Sequence, residues 1–82
     1  MTMRITVRLL ASYRRYLPAD HDANAGFAHR VEPGERVVDV LDRLPIPAGD
    51  VFTFFVNGRH AERGQALQEG DVISIFPAVG GG

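Results

Sequence analysis

The residues that invite chemistry stand at the very end of the sequence, where Gly80, Gly81 and Gly82 follow one another. Glycine loses more backbone freedom on ordering than any other residue, so three of them at a terminus add nothing to a core. A tail of this kind is either inert or is ordered by something else. Fully extended from Pro77 to Gly82, it would reach about 20 Å at about 3.3 Å per residue. The last three residues carry no Cβ, so this backbone could pass through a channel that any side chain would block. What it delivers is a carboxylate. Such a group can be activated with ATP to an acyl-adenylate and can then take sulfur as a thiocarboxylate.

Nothing else in the chain competes with that carboxylate. There is no cysteine, which rules out a disulfide framework, a thiolate nucleophile and a cysteine metal site. His21, His29 and His60 lie far apart without metal-ligand spacing and are expected to be surface or loop residues. Ser12 and Ser74 lack the flanking glycines of a nucleophile elbow. Asp20 and Asp22 read as a solvated loop pair. No helix follows Gly80–Gly82 to present its N-terminus to a phosphate. The chain alone is therefore not expected to be a catalyst, and no bound cofactor or metal is expected.

The charge balance narrows the partners. Net charge is −1, the basic residues are scattered, and only Arg14 and Arg15 are adjacent, so nucleic acid is not the default partner. All nine basic residues are arginine, which leaves no side-chain amine on which an isopeptide bond could be built. The N-terminus runs straight into a strand pattern without the apolar stretch of a signal peptide. No segment approaches the roughly 20 apolar residues of a membrane helix. No membrane partner and a cytoplasmic location are the resulting expectations.

The elements that must position the tail can be read from periodicity. A chain of 82 residues is one domain with little room for a deep pocket. Met3, Ile5, Val7 and Leu9 alternate with polar residues and predict a strand over 3–10. Tyr13, Tyr16 and Leu17 suggest a short helical turn ended by Pro18, and 19–26 reads as a loop. A second strand is expected over 27–32. Val37, Val40, Leu41 and Leu44 form one apolar stripe, predicting a helix from about Arg36 to Leu44 that Pro45 stops. Its start lacks a preferred N-cap residue. Residues 51–56 are strongly β-prone, Asn57-Gly58 supplies a tight hairpin turn, and 59–62 can pair back. Leu67 is the expected core anchor of the turn-like stretch 63–70, and the last strand runs over 72–76. Strands around a single helix predict an α+β domain with the helix on one sheet face. The domain is expected over 1–76 and the tail over 77–82.

Several segments then agree, in order and spacing, with one family. Ile75-Phe76-Pro77-Ala78-Val79-Gly80-Gly81-Gly82 resembles the C-terminus of the MoaD/ThiS family, in which MoaD typically ends Phe-Pro-Pro-Val-x-Gly-Gly. Val56-Asn57-Gly58-Arg59 resembles its hairpin, and Gly70 to Pro77 its Gly-Asp-x-Val-x-Phe-Phe-Pro strand. Arg4 to Ala11 resembles its first strand. The departures are Ala78 for the second proline, Gly80 before the glycine pair, Arg36 where a threonine cap is frequent, and a longer stretch over 18–26.

The resemblance implies a β-grasp, ubiquitin-like fold, a mixed sheet packed on one main helix. It implies a sulfur carrier whose Gly82 is adenylated by a MoeB- or ThiF-like activating enzyme that consumes ATP, converted to a thiocarboxylate, and used as a sulfur donor. In molybdopterin synthase the tail enters a MoaE large subunit; ThiS supplies thiamine biosynthesis by the same chemistry. The Phe-Pro pair is more like MoaD. A carrier for thiamine or another sulfur-containing metabolite, and a ubiquitin-like protein modifier, are the alternatives. Phe76, Pro77, Val79 and Phe55 are the expected partner-binding residues beside the tail glycines. Phe76 is read as pointing away from the face shared by Ile73 and Ile75; the competing reading packs it beneath 11–17. Either Phe54 or Phe55 is expected on the outer side of its strand.

Overall fold

The computed structural model describes residues 2–16, 26–47 and 49–78. Five strands form one sheet: β1 (Met3–Leu9), β2 (Phe27–Val31), β3 (Phe52–Val56), β4 (Arg59–His60) and β5 (Val72–Pro77). Their order across the sheet is β2-β1-β5-β3-β4. The first and last strands are parallel neighbours at its centre, and the other pairings are antiparallel. A 3-10 helix (Ala11–Tyr16) follows β1, and α1 (Val37–Leu41), the one α-helix among the described residues, lies between β2 and β3.

The alternation that marks each strand decides what it buries. Ile5, Val7 and Leu9 of β1, Ile73 and Ile75 of β5, Val31 of β2 and Val56 of β3 share a core with Val37, Val40 and Leu41 of α1. Leu44 and Leu67 close it, as the apolar stripe and the 63–70 turn predict. Tyr13 of the 3-10 helix is buried at one end, where its ring meets Phe52 edge-on at 6.5 Å and its hydroxyl donates to Asp50 at 3.2 Å. Burial, then the neighbouring Asp50 carboxylate, pushes the Tyr13 pKa up.

The helix is shorter than its apolar stripe. After Leu41 the amides of Arg43 and Leu44 bond to carbonyls three residues back, at 3.0 and 3.2 Å, so the chain tightens ahead of Pro45 while Leu44 still reaches the core. The start is capped from outside. Val37 and Val38 donate to the carbonyls of Gln65 and Arg63, and the Asp39 carboxylate accepts the Arg36 amide at 2.8 Å. Histidine 29 also differs from expectation. It lies in β2 on the core face, opposite Ile5, half-buried rather than at the surface, because the alternation of β2 puts it in line with Phe27 and Val31. No helix among the described residues is long and apolar enough to cross a membrane.

Candidate functional site

The last strand is the element that holds the tail. β5 is clasped on both sides, with Leu9 beside Ile75 in β1 and Phe52 beside Pro77 in β3. Beyond it, the Ala78 amide donates to the Val51 carbonyl at 3.1 Å. The backbone is thus fixed up to Ala78. The four residues that remain can reach about 13 Å when extended, at about 3.3 Å per residue. Val79, Gly80, Gly81 and Gly82 lie outside the described residues.

A polar lock sets where β5 begins. The buried Asp71 carboxylate accepts the Gln68 amide at 2.9 Å and the Asn57 side-chain amide at 3.0 Å. The Asn57 side-chain carbonyl accepts the Val72 amide at 2.9 Å, and the Asn57 backbone amide donates to the Val72 carbonyl at 2.8 Å. Asn57 and Gly58 have φ of 53° and 80°, the left-handed pair that a two-residue hairpin turn requires. The Val-Asn-Gly-Arg and Gly-Asp segments are therefore one device, which ties the β3–β4 turn to the first residue of the tail-bearing strand.

Register brings the candidate aromatic residues together. Phe55 lies opposite Ser74, and Phe76 opposite Thr53, so the two rings are diagonal neighbours on the face of the sheet away from α1. They meet edge-to-face at 5.5 Å, and Phe55 meets His60 at 4.6 Å in the same manner. Such contacts add about 0.5–1.5 kcal/mol beyond burial. Phe76 thus points away from Ile73 and Ile75 as expected, and it packs on Phe55 rather than beneath the 11–17 turn. Of β3's aromatics, Phe52 and Phe54 pack against the core and Phe55 is the outer one. Both Phe55 and Phe76 are half-buried, each shielding part of the other. His60 was not expected here. Only the two-residue length of β4 and its pairing with Phe55 place it in the cluster.

No group of three or more potential metal ligands occurs among the described residues. His29 and His60 share no site, the former facing the core and the latter the outer side. His21, Asp20 and Asp22 lie outside the described residues.

A mixed five-stranded sheet with a central parallel β1–β5 pair and a helix packed on one face define a ubiquitin-like β-grasp protein. Comparison with known proteins carries this one step further. The ThiS family matches residues 7–82, and the chain belongs to that family of ubiquitin-like sulfur carriers. Among solved structures, the Haloferax volcanii HVO 2177 protein is similar at 27% identity and a TM-score of 0.71, with 99% of this chain and 88% of that one covered. A Pyrococcus furiosus protein assigned as molybdopterin converting factor subunit 1 shares the fold at 24% identity and a TM-score of 0.68, over 94% of this chain and 99% of that one. SAMP1 from Haloferax volcanii does so at 24% and 0.65, over 96% and 99%. No curated protein matches.

Proposed function

We propose that the chain carries sulfur for molybdopterin biosynthesis. A MoeB- or ThiF-like enzyme uses ATP to adenylate the Gly82 carboxylate, sulfur replaces the adenylate to give a thiocarboxylate, and the loaded tail enters a MoaE-like large subunit and donates its sulfur there. The chain's part is mechanical and electrostatic. It supplies a carboxyl on a backbone thin enough to reach a recessed centre, and it holds the root of that backbone in register. Phe55 and Phe76 from the outer sheet face and Pro77 from the end of β5, with Val79 further along the sequence, are the residues the partner grips.

The observation that carries this reading is the join of Phe76-Pro77, anchored in β5, to a tail ending in three glycines. A ring pair beside the tail's root gives a partner something to hold while the glycines, which bear no side chains, pass on. The choice of molybdopterin over thiamine rests on the Phe-Pro pair. Genetic complementation tests it. The intact chain is expected to restore a strain lacking its molybdopterin synthase small subunit and not one lacking its thiamine sulfur carrier. Removal of Gly81 and Gly82 is expected to abolish rescue with the circular dichroism spectrum unchanged. Rescue by the truncated chain would overturn the reading; rescue of the thiamine strain alone would move the sulfur to the other pathway.

A further inference from the structure

The chain is slightly acidic as a whole, yet one sheet face carries only positive charge, while the helix side mixes Arg36 and Arg43 with its carboxylates. None of the five strands contains an aspartate or glutamate. On the sheet face away from α1, β1 presents Arg4 and Arg8, and β2 presents Arg30. The described acidic residues between the strands gather mainly on and around the helix, in Glu32, Glu35, Asp39, Asp42 and Asp50. Arg4 and Arg30 face each other directly across β1 and β2. Like charges so placed weaken a sheet, and fold stability gives no reason for them. No ion pair neutralises Arg4, Arg8 or Arg30 among the described residues. Glu69, at the corner beside Arg4, uses its carboxylate to accept the Arg4 backbone amide at 3.2 Å. The Arg8 Nε is buried with no hydrogen-bond partner.

This basic half adjoins the aromatic half. Arg8 pairs with Ser74, and Ser74 with Phe55, so one row runs Arg8, Ser74, Phe55, His60 across the sheet. Two strand spacings put the base of Arg8 about 10 Å from that of Phe55, and four residues along β1 put Arg4 about 13 Å from Arg8. We infer that this face docks a protein surface that joins an apolar hollow, for Phe55 and Phe76, to carboxylates about 10 Å away, for Arg8, and about 13 Å further along β1, for the Arg4–Arg30 pair. The partner is thus selected by charge as well as by shape. The arginines steer the encounter, and the aromatic rings hold the docked tail root. Arginine suits the task because its planar fork binds carboxylates in pairs of hydrogen bonds.

This inference rests on the proposed carrier role in naming the adenylating enzyme of the source genome as the partner to test. Adenylate formation by that enzyme is measured against carrier concentration for the intact chain, R8E, R30E and, as a control on the helix side, D42R. R8E and R30E are expected to raise KM about tenfold each with kcat unchanged, to flatten the rise of KM with salt, and to leave D42R at the intact value. Unchanged KM in both arginine variants, with normal circular dichroism, would overturn the inference while leaving the carrier role standing. Absence of adenylate from the intact chain would instead count against the carrier role. The surface is then read by NMR titration with hexaglutamate. Shifts confined to the Arg4, Arg8 and Arg30 amides and reversed by salt support an acid-binding face, and their absence overturns it.

Discussion

At the scale of single residues, the polar side chains of the two family-like segments do structural work. Asp71 and Asn57 together satisfy backbone amides at the start of β5 and at the turn before it. Asp71→Ala would leave the Gln68 amide and the Asn57 side chain without their acceptor, at a cost of about 2 kcal/mol. In a domain of this length each kcal/mol lowers Tm by about 4–8 °C, so a melting curve resolves the loss. Glu35 gives a second test through pH. The Glu32 amide, donating at 2.6 Å, and then the paired Arg43 guanidinium hold its carboxyl below the ordinary 4.5, against the opposing effect of desolvation. A lowered folded pKa stabilises the protein above the ordinary value, and that contribution disappears as pH falls through the folded one. Glu35→Gln is expected to lower the urea midpoint at neutral pH and to narrow the gap to the intact protein at about pH 3, below the carboxylate range. An equal deficit at both pH values would show that Glu35 acts through shape rather than charge.

At the scale of elements, alternation along each strand told which face a residue takes, and this made most of the core and the outward position of Phe76 legible in advance. Register was not legible, because it depends on which strands meet and how far they slide. The Phe55–Phe76–His60 contact and the Arg4–Arg30 opposition therefore appear only in the folded sheet. The helix shows the same limit. Its apolar stripe was plain, whereas its missing N-cap is supplied by the carbonyls of Arg63 and Gln65, far downstream in the sequence. His29 was misplaced because its polarity outweighed the strand alternation that carries it inward. For the outer face, Phe55→Ala and Phe76→Ala are expected to keep the circular dichroism spectrum and to weaken binding to the proposed MoaE-like partner by about tenfold or more, as interface anchors do. Isothermal titration reads this directly, and affinity unchanged in both variants would remove these rings from the interface.

At the scale of the whole molecule, the β-grasp arrangement places the strand that leads into the glycine-rich end of the sequence at the centre of the sheet. β5 pairs with β1 through Ile75 and with β3 through Pro77, and within a few residues the chain becomes glycine. A rigid root lets a partner aim the end group without ordering the entire approach. The all-positive sheet face then gives one side of this root a distinct electrostatic character. The glycine ending and the Phe-Pro pair were legible in the sequence; the all-positive sheet face was not, since net charge and scattered arginines conceal it. The central claim is that the terminal carboxyl exchanges oxygen for sulfur. Intact-protein mass spectrometry after incubation with the paired activating enzyme, ATP and a sulfur donor tests it most directly. The expected result is a gain of about 16 Da confined to the C-terminal peptide and absent without ATP, the signature of a thiocarboxylate. An unchanged mass at Gly82 under conditions where the same enzyme charges an established carrier would contradict it.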